Sequence, residues 1–241
     1  MKFFRIISLC LIVFGVFSCT KHHTEAPPDL GYDYYPAKIG SYIIYDVDSI
    51  SYRQPQNDTA IYKFQIKEKL DTLFTDNQGR PTIKIVRYKK MYSSTIPYSQ
   101  MSWAVLQDVW MANKSKTDAE VVEENIRYTK LAFPAKLNGT WNGTAHADTN
   151  AVNTYTYTAY DTPASYGNLS FQKTLTVNQY SSFPGNVVEF QNYNEKYASN
   201  VGLIYKEITN YKYKQDINGA HPGVIYEGIH YVMTINFYGV E

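Results

Sequence analysis

The chain has 241 residues and 38 aromatics, of which 24 are Tyr, 11 Phe and 3 Trp, and its 23 Lys and Arg nearly cancel its 22 Asp and Glu. That balance excludes the basic excess or stripe of a general nucleic-acid binder, and 44% hydrophobic with 19% charged residues excludes a disordered chain. Two cysteines and five scattered histidines supply neither a disulfide framework nor a standard zinc site, and no cofactor is implied.

Residues 1–18 read as a signal peptide. Lys2 and Arg5 make a positive start, and Ile6 to Phe17 is apolar apart from Ser8, Cys10 and Gly15. A membrane span needs about 20 residues, so this run fits a secretory apolar region better. It ends in Val16-Phe17-Ser18-Cys19, which resembles the lipobox of bacterial lipoproteins. There a small residue precedes a Cys that is diacylated and becomes the mature N-terminus. The resemblance implies lipidation of Cys19, loss of Cys10 with the signal peptide, and membrane attachment through acyl chains, several of which anchor stably where one does not. Cleavage at an ordinary small-residue site, or an uncleaved anchor, is the alternative. Without Lys2 and Arg5 the net charge becomes −1.

Residues 19–31 are the lipidated N-terminus and a polar tether containing Pro27-Pro28. His22 and His23 are adjacent but held by nothing, so no metal site is expected. Bacteroidota-type lipoproteins reach the cell surface when an acidic run follows the Cys. Lys21, His22 and His23 stand there instead, with only Glu25 acidic nearby, which points to the periplasmic face of the outer membrane.

Residues 32–241 read as a β domain. Tyr62, Phe64, Ile66 and Leu70 alternate with Lys63, Gln65, Lys67 and Lys69. Leu169, Phe171, Leu175 and Val177 alternate with Ser170, Gln172, Thr174 and Thr176, and Ile229, Tyr231, Met233, Ile235 and Phe237 with His230, Val232, Thr234 and Asn236. Such a period of two predicts half-buried antiparallel strands, with turns at Asp76-Asn77-Gln78-Gly79 and Asn218-Gly219. Thr117 to Ile126 is the best helix candidate, because Thr117-Asp118-Ala119-Glu120 resembles a capping box. The fold class is therefore all-β, a single curved antiparallel sheet system or incomplete barrel of about ten strands, with at most one or two short helices. Tyr35-Pro36-Ala37-Lys38-Ile39-Gly40-Ser41-Tyr42 recurs as Phe133-Pro134-Ala135-Lys136-Leu137-Asn138-Gly139-Thr140-Trp141, read with one inserted residue. If this is a repeat, two similar halves start near Tyr34 and Phe133.

Three segments, Tyr34-Tyr35-Pro36…Gly40, Phe133-Pro134…Gly139-Thr140-Trp141 and Tyr197 through Val201-Gly202-Leu203-Ile204-Tyr205-Lys206-Glu207, resemble a broad group of uncharacterised lipoproteins of Bacteroidota. The resemblance runs from about Gly31 to Gly239 and implies a curved sheet closing into an incomplete barrel, similar to periplasmic carriers of lipids and lipoproteins. It assigns no activity.

No nucleophile elbow, zinc-protease helix motif, Walker loop or dinucleotide fingerprint is present, and acylation of Cys19 removes thiol chemistry. Asp46 and Asp48 share a strand face, and Glu189, Glu195 and Glu207 lie near the third segment; both sets read more simply as solvated carboxylates than as a calcium or glycoside-cleaving site. Gly202 reads as a bent strand start, with Leu203, Tyr205 and Glu207 on one face and Ile204, Lys206 and Ile208 on the other. Asp48-Ser49-Ile50, Asp58-Thr59-Ala60 and Asp71-Thr72-Leu73 resemble the O-glycosylation signal of exported Bacteroidota proteins, which makes Ser49, Thr59 and Thr72 candidate glycan sites.

The expectation is a non-enzymatic cell-envelope lipoprotein that binds a lipid, another apolar ligand or an envelope protein on a concave apolar face. A carbohydrate-binding surface protein using exposed tyrosines is the alternative, and a purely structural subunit is the weakest. Whether Tyr155, Tyr157 and Tyr180 form an exposed platform or line a cavity separates the first two.

Overall fold

The computed structural model describes residues 28–147 and 152–241. Cys10, Cys19, His22 and His23, and with them the lipidation site and most of the tether, lie outside the described residues. The described residues form thirteen strands: β1 (Ser41–Arg53), β2 (Asp58–Thr75), β3 (Pro81–Met91), β4 (Ala104–Val105), β5 (Trp110–Lys114), β6 (Asp118–Glu123) and β7 (Ile126–Ala132). They continue with β8 (Thr140–Asn142), β9 (Thr154–Tyr166), β10 (Leu169–Ser181), β11 (Glu189–Ala198), β12 (Gly202–Asp216) and β13 (Gly219–Val240). All belong to one antiparallel sheet in the order β7-β6-β5-β3-β2-β1-β13-β12-β11-β10-β9-β8, with β4 attached to β3. The all-β, single-sheet expectation holds. The strand count exceeds the expected ten because residues 104–142 contribute five short strands whose alternation spans too few residues to stand out.

The helix expected over Thr117–Ile126 is a hairpin. Asp118–Glu123 forms β6, and Glu124 and Asn125, both at positive φ (53° and 66°), turn the chain into β7. Two consecutive left-handed residues are the mark of a tight hairpin turn. The capping-box residues serve the preceding turn instead, where Ser115 Oγ accepts from the Thr117 and Asp118 N–H groups. Among the described residues the only helical segments are two three-residue 3-10 turns, Tyr32–Tyr34 and Tyr98–Gln100.

The sheet curls into a nearly closed barrel whose two ends, β7 and β8, meet without a regular ladder. Thr129 N–H donates to Gly143 O (2.9 Å) and Trp141 Nε1 donates to Thr129 O (2.7 Å). Tyr157 Oη spans the same seam, accepting from Ala132 N–H (2.9 Å) and donating to Ala132 O (2.7 Å). Aromatic side chains thus satisfy backbone groups that an open sheet edge would leave unpaired.

One end of the barrel is sealed by the residues before β1. Lys114 Nζ and Asn200 N–H donate to Tyr32 O and Asp33 O, Ala135 N–H donates to Leu30 O, and the buried Tyr34 donates to Asp161 Oδ1 (2.5 Å). Ser199 also donates to Asp33. These partners lie on four separate parts of the rim.

The sequence echo has a structural counterpart. Ser41 N–H donates to Lys38 O and Gly139 N–H to Lys136 O, closing equivalent turns, and Gly40 and Asn138 occupy the same left-handed position (φ 83° and 61°). Each of those two residues also donates its N–H to the neighbouring strand, at Leu70 O and Tyr157 O. The two copies therefore align with no insertion, Asn138 standing where Gly40 stands.

Within β13 the expected inward row breaks. The ladder to β1 slips between Ile44 and Tyr45, so Ile235 faces the core while Phe237 is exposed and stacks on Tyr42. A bulge of this kind turns every later side chain to the other face. Thr174, expected on the wet face, is buried by a similar irregularity in β10 and donates to Thr162 O.

Gly228 sits between Tyr52 of β1 and Tyr211 of β12, whose rings meet edge to face at 5.5 Å. Its φ is 145°, and an added Cβ would lie 2.1 Å from Asn210 O. Gly228→Ala is expected to destabilise the fold by about 2 kcal/mol through backbone strain and overpacking, measured by urea unfolding.

Candidate functional site

A twelve-strand circuit encloses more space than aliphatic side chains fill, and here the lumen contains a layer of charge. Lys130 of β7 donates to Glu195 of β11 (2.9 Å) and pairs with Glu123 of β6 (2.6 Å); Lys206 of β12 reaches the same two carboxylates at 3.5 and 3.3 Å. Glu195 is 1% exposed, and Tyr197 Oη donates to its second oxygen (2.5 Å). Because β6 and β7 are not sheet neighbours of β11 and β12, these contacts cross the interior. Towards the sealed end, Arg87 pairs with Glu68 (3.1 Å) and Asp108 (2.5 Å) and stacks on Trp110 at 3.7 Å.

Burial works to raise the Glu123 carboxyl, yet the charges of Lys130 and Lys206 hold it at about 2. Glu195 is likewise depressed, with burial opposed by the same two lysines, and Lys130 is raised well above its ordinary range by Glu123 and Glu195 in spite of burial. Glu68 is raised by burial, with Arg87 opposing.

Next to this layer, towards the end away from the seal, lies a cavity of about 240 Å³. Its walls include Glu123, Lys130 and Lys206, the tyrosines 128, 155, 180 and 193, and Gln179. Gln179 is the extra residue of a β-bulge, since Asn178 pairs with Asn194 and Tyr180 with Tyr193. The bulge lets two consecutive residues, Gln179 and Tyr180, line one cavity, which regular alternation forbids. Asn178 Nδ2 pins it by donating to Asn194 Oδ1 (3.0 Å) and Tyr193 O (3.3 Å).

A second, apolar cavity lies behind the seal, between Tyr35, Pro36, Tyr45, Ile85 and Leu203, and measures about 80 Å³. Ligand pockets commonly occupy about 300–1,000 Å³, so an acyl chain does not fit it. The broad concave apolar face expected for a lipid carrier is replaced by tyrosines and ion pairs. Tyr155 and Tyr157 are buried, with Tyr155 in the polar cavity wall and Tyr157 at the seam; Tyr180 is 37% exposed at the cavity margin. They form no flat platform.

The remaining sequence candidates scatter. Asp46 and Asp48 lie on the outer face, Asp46 accepting from Gln65 Nε2 (2.8 Å) and Asn236 Nδ2 (2.6 Å), Asp48 pairing with Lys63. Glu207 meets Tyr205 Oη and His230 outside the barrel; Glu189 shares the inner face of β11 with Glu195 but lies six residues towards the other end and meets Gln191, so only Glu195 of that trio joins the charged layer. Gly202 opens β12 at φ 104°, with Ile204 and Lys206 sharing a face as expected, and that face turns inward. Thr59 and Thr72 are exposed, whereas Ser49 faces inward and is 7% exposed. Sequence reasoning missed Lys130, Glu123, Lys206 and Gln179. Lys206 had been placed on the strand face shared with two isoleucines, which was the one available signal.

No family model matches the chain, and no curated protein does. Among solved structures, the chain is similar to a Bacteroides fragilis protein thought to be exported and having a YmcC-like fold. The identity is 8%, the match covers 83% of this chain and 97% of that one, and the TM-score is 0.38. So distant a likeness transfers no residue role.

An unfolded Glu titrates near about 4.3. The stability contributed by Glu123 is therefore fully present above that pH and lost as pH falls through its folded value of about 2, with Glu195 acting in the same sense and Glu68 in the opposite one. Unfolding free energy is expected to fall between about pH 4.5 and 2. At pH 7, Lys130→Met is expected to cost about 3–5 kcal/mol by leaving buried carboxylate charge uncompensated, and to flatten that acid dependence. Urea titrations across pH measure both.

Proposed function

We propose that this chain is an exported, non-enzymatic lipoprotein of the cell envelope, of the Bacteroidota type. In this reading it is held in the outer membrane by acyl chains on Cys19, faces the periplasm, and binds a small polar ligand in the tyrosine-lined cavity. The lipobox-like Val16-Phe17-Ser18-Cys19 supports the anchor. The observation that carries the binding role is the contrast between the two more enclosed cavities: the polar one is about 240 Å³ and the apolar one about 80 Å³, while two clefts of about 430 Å³ each, beside Tyr52 and beside Lys173, are wide open to solvent. That contrast favours a polar ligand over the lipid or other apolar cargo expected from the sequence. Glycan attachment stays with Thr59 and Thr72, because a buried, inward Ser49 is out of reach of a transferase acting on the folded domain.

Native mass spectrometry of the lipoprotein extracted from its host envelope tests this, using a detergent without a sugar headgroup. A diacylated chain carrying a small hydrophilic non-covalent mass is the expected result; a copurifying lipid restores the carrier reading, and a chain with no bound mass rejects a ligand role. Cys19→Ser is expected to move the protein out of the membrane fraction. Any sugar mass that survives denaturation is expected to disappear in the Thr59→Ala, Thr72→Ala double variant.

A further inference from the structure

We propose that the polar cavity holds a neutral, polyhydroxylated ring the size of one sugar residue, and that one of its oxygens accepts a hydrogen bond from Gln179 Nε2. This rests on the reading of the cavity as a binding site and names the class of ligand. The chief observation is an unfinished hydrogen bond. Gln179 is 8% exposed and lines the cavity; its Nε2 is fully covered and meets no acceptor among the described residues, so a turn of the side chain is what presents it to an oxygen in the cavity. Buried polar groups are almost always paired, and an orphan in a cavity wall marks a position that a ligand can complete. The amide is also placed deliberately: a β-bulge, held by Asn178, brings it to the wall.

Charge selects against ions. The ionised groups of the wall, Glu123, Lys130 and Lys206, are already matched with Glu195 in a set of two lysines and two glutamates. A charged ligand would bring an unmatched charge into a buried site, and nothing in that set is free to neutralise it. Four tyrosines supply ring faces and hydroxyls together, and the rings of Tyr180 and Tyr193 stand 5.8 Å apart at the margin. Aromatic faces suit the C–H surface of a sugar ring while amide and hydroxyl groups suit its oxygens. The volume, just under the range for drug-sized ligands, limits the occupant to about one ring.

The test is isothermal titration of the full lipidated chain in a polyoxyethylene detergent. The probes are the methyl pyranosides of glucose, galactose and mannose and N-acetylglucosamine, against glucuronate, glucosamine and octanoate. At least one neutral pyranoside is expected to bind saturably, and Gln179→Leu to weaken it at least tenfold. The same variant is expected to raise the melting temperature, because it removes an unpartnered buried amide; a merely structural Gln179 would lower it. Tyr180→Ala, at a partly exposed side chain, is expected to weaken binding at least threefold with the melting temperature unchanged, so the test survives a misfolding Gln179 variant. Binding confined to glucuronate, glucosamine or octanoate overturns the neutral-ring class while leaving a ligand role intact. Pyranoside binding that neither variant weakens puts the sugar elsewhere and overturns the site. If no probe binds, the class is overturned, and a bare chain in native mass spectrometry then removes the binding role as well.

Discussion

The width of the barrel governs what the rest of the chain has to do. Barrel diameter grows with strand number, and about eight strands already make an interior that ordinary side chains just fill. A circuit of twelve needs longer groups to reach the middle. Tyr45, Tyr155, Tyr157 and Tyr197 are all nearly inaccessible, and each of Tyr45, Tyr157 and Tyr197 places its hydroxyl on an acceptor: Leu203 O, Ala132 O and Glu195. Lys130 and Lys206 span the remaining distance, which requires carboxylates opposite them. A chain rich in Tyr and almost balanced in charge is the composition such an interior demands.

Closure is the second demand, and it depends on the same aromatics. A sheet of this curvature exposes one edge at β7 and another at β8 unless they meet. Trp141 and Tyr157 bridge them with side-chain hydrogen bonds and pack on each other at 4.5 Å. At the floor, the segment around Tyr34 ties parts of the rim that no strand ladder joins. With seam and floor fixed, the lumen is held in shape by the chain's own hydrogen bonds.

The fold was legible where alternation ran long. The Tyr62–Leu70 and Ile229–Ile235 rows both became barrel strands with the expected inner face. It was illegible where single-residue slips intervened: Phe237 and Thr174 each follow a bulge, and no propensity marks which residue of an aromatic-rich run will be the extra one. Thr117–Ile126 misled because a Thr-Asp-Ala-Glu run suits a helix start, while the Glu124-Asn125 turn that overrode it has only Asn as a clue to positive φ. The site was legible hardly at all. Glu195 reads from the sequence as a solvated carboxylate, and Lys130, the partner that buries it, lies 65 residues away along the chain and is brought to it only by closure. A lysine in a strand reads as a wet-face residue until the opposite wall of the barrel is known.

The repeated turn gives that closure a simple origin. The strand that follows the first turn, β1, lies beside the last strand of the chain, and the strand that follows the second, β8, lies against the end of β7 just before that turn. Each stretch thus begins beside the end of the other, the arrangement that two meanders in tandem adopt when they close into a ring. The two junctions differ in quality. The β1–β13 junction is a full antiparallel ladder of twelve paired positions, while β8 has only three residues and leans on Trp141 and Tyr157. The weaker junction is the one nearest the polar cavity, whose wall includes Thr144 and Asn153 from the connection beyond β8. The long ladder on the opposite side carries the stability that the short one gives up.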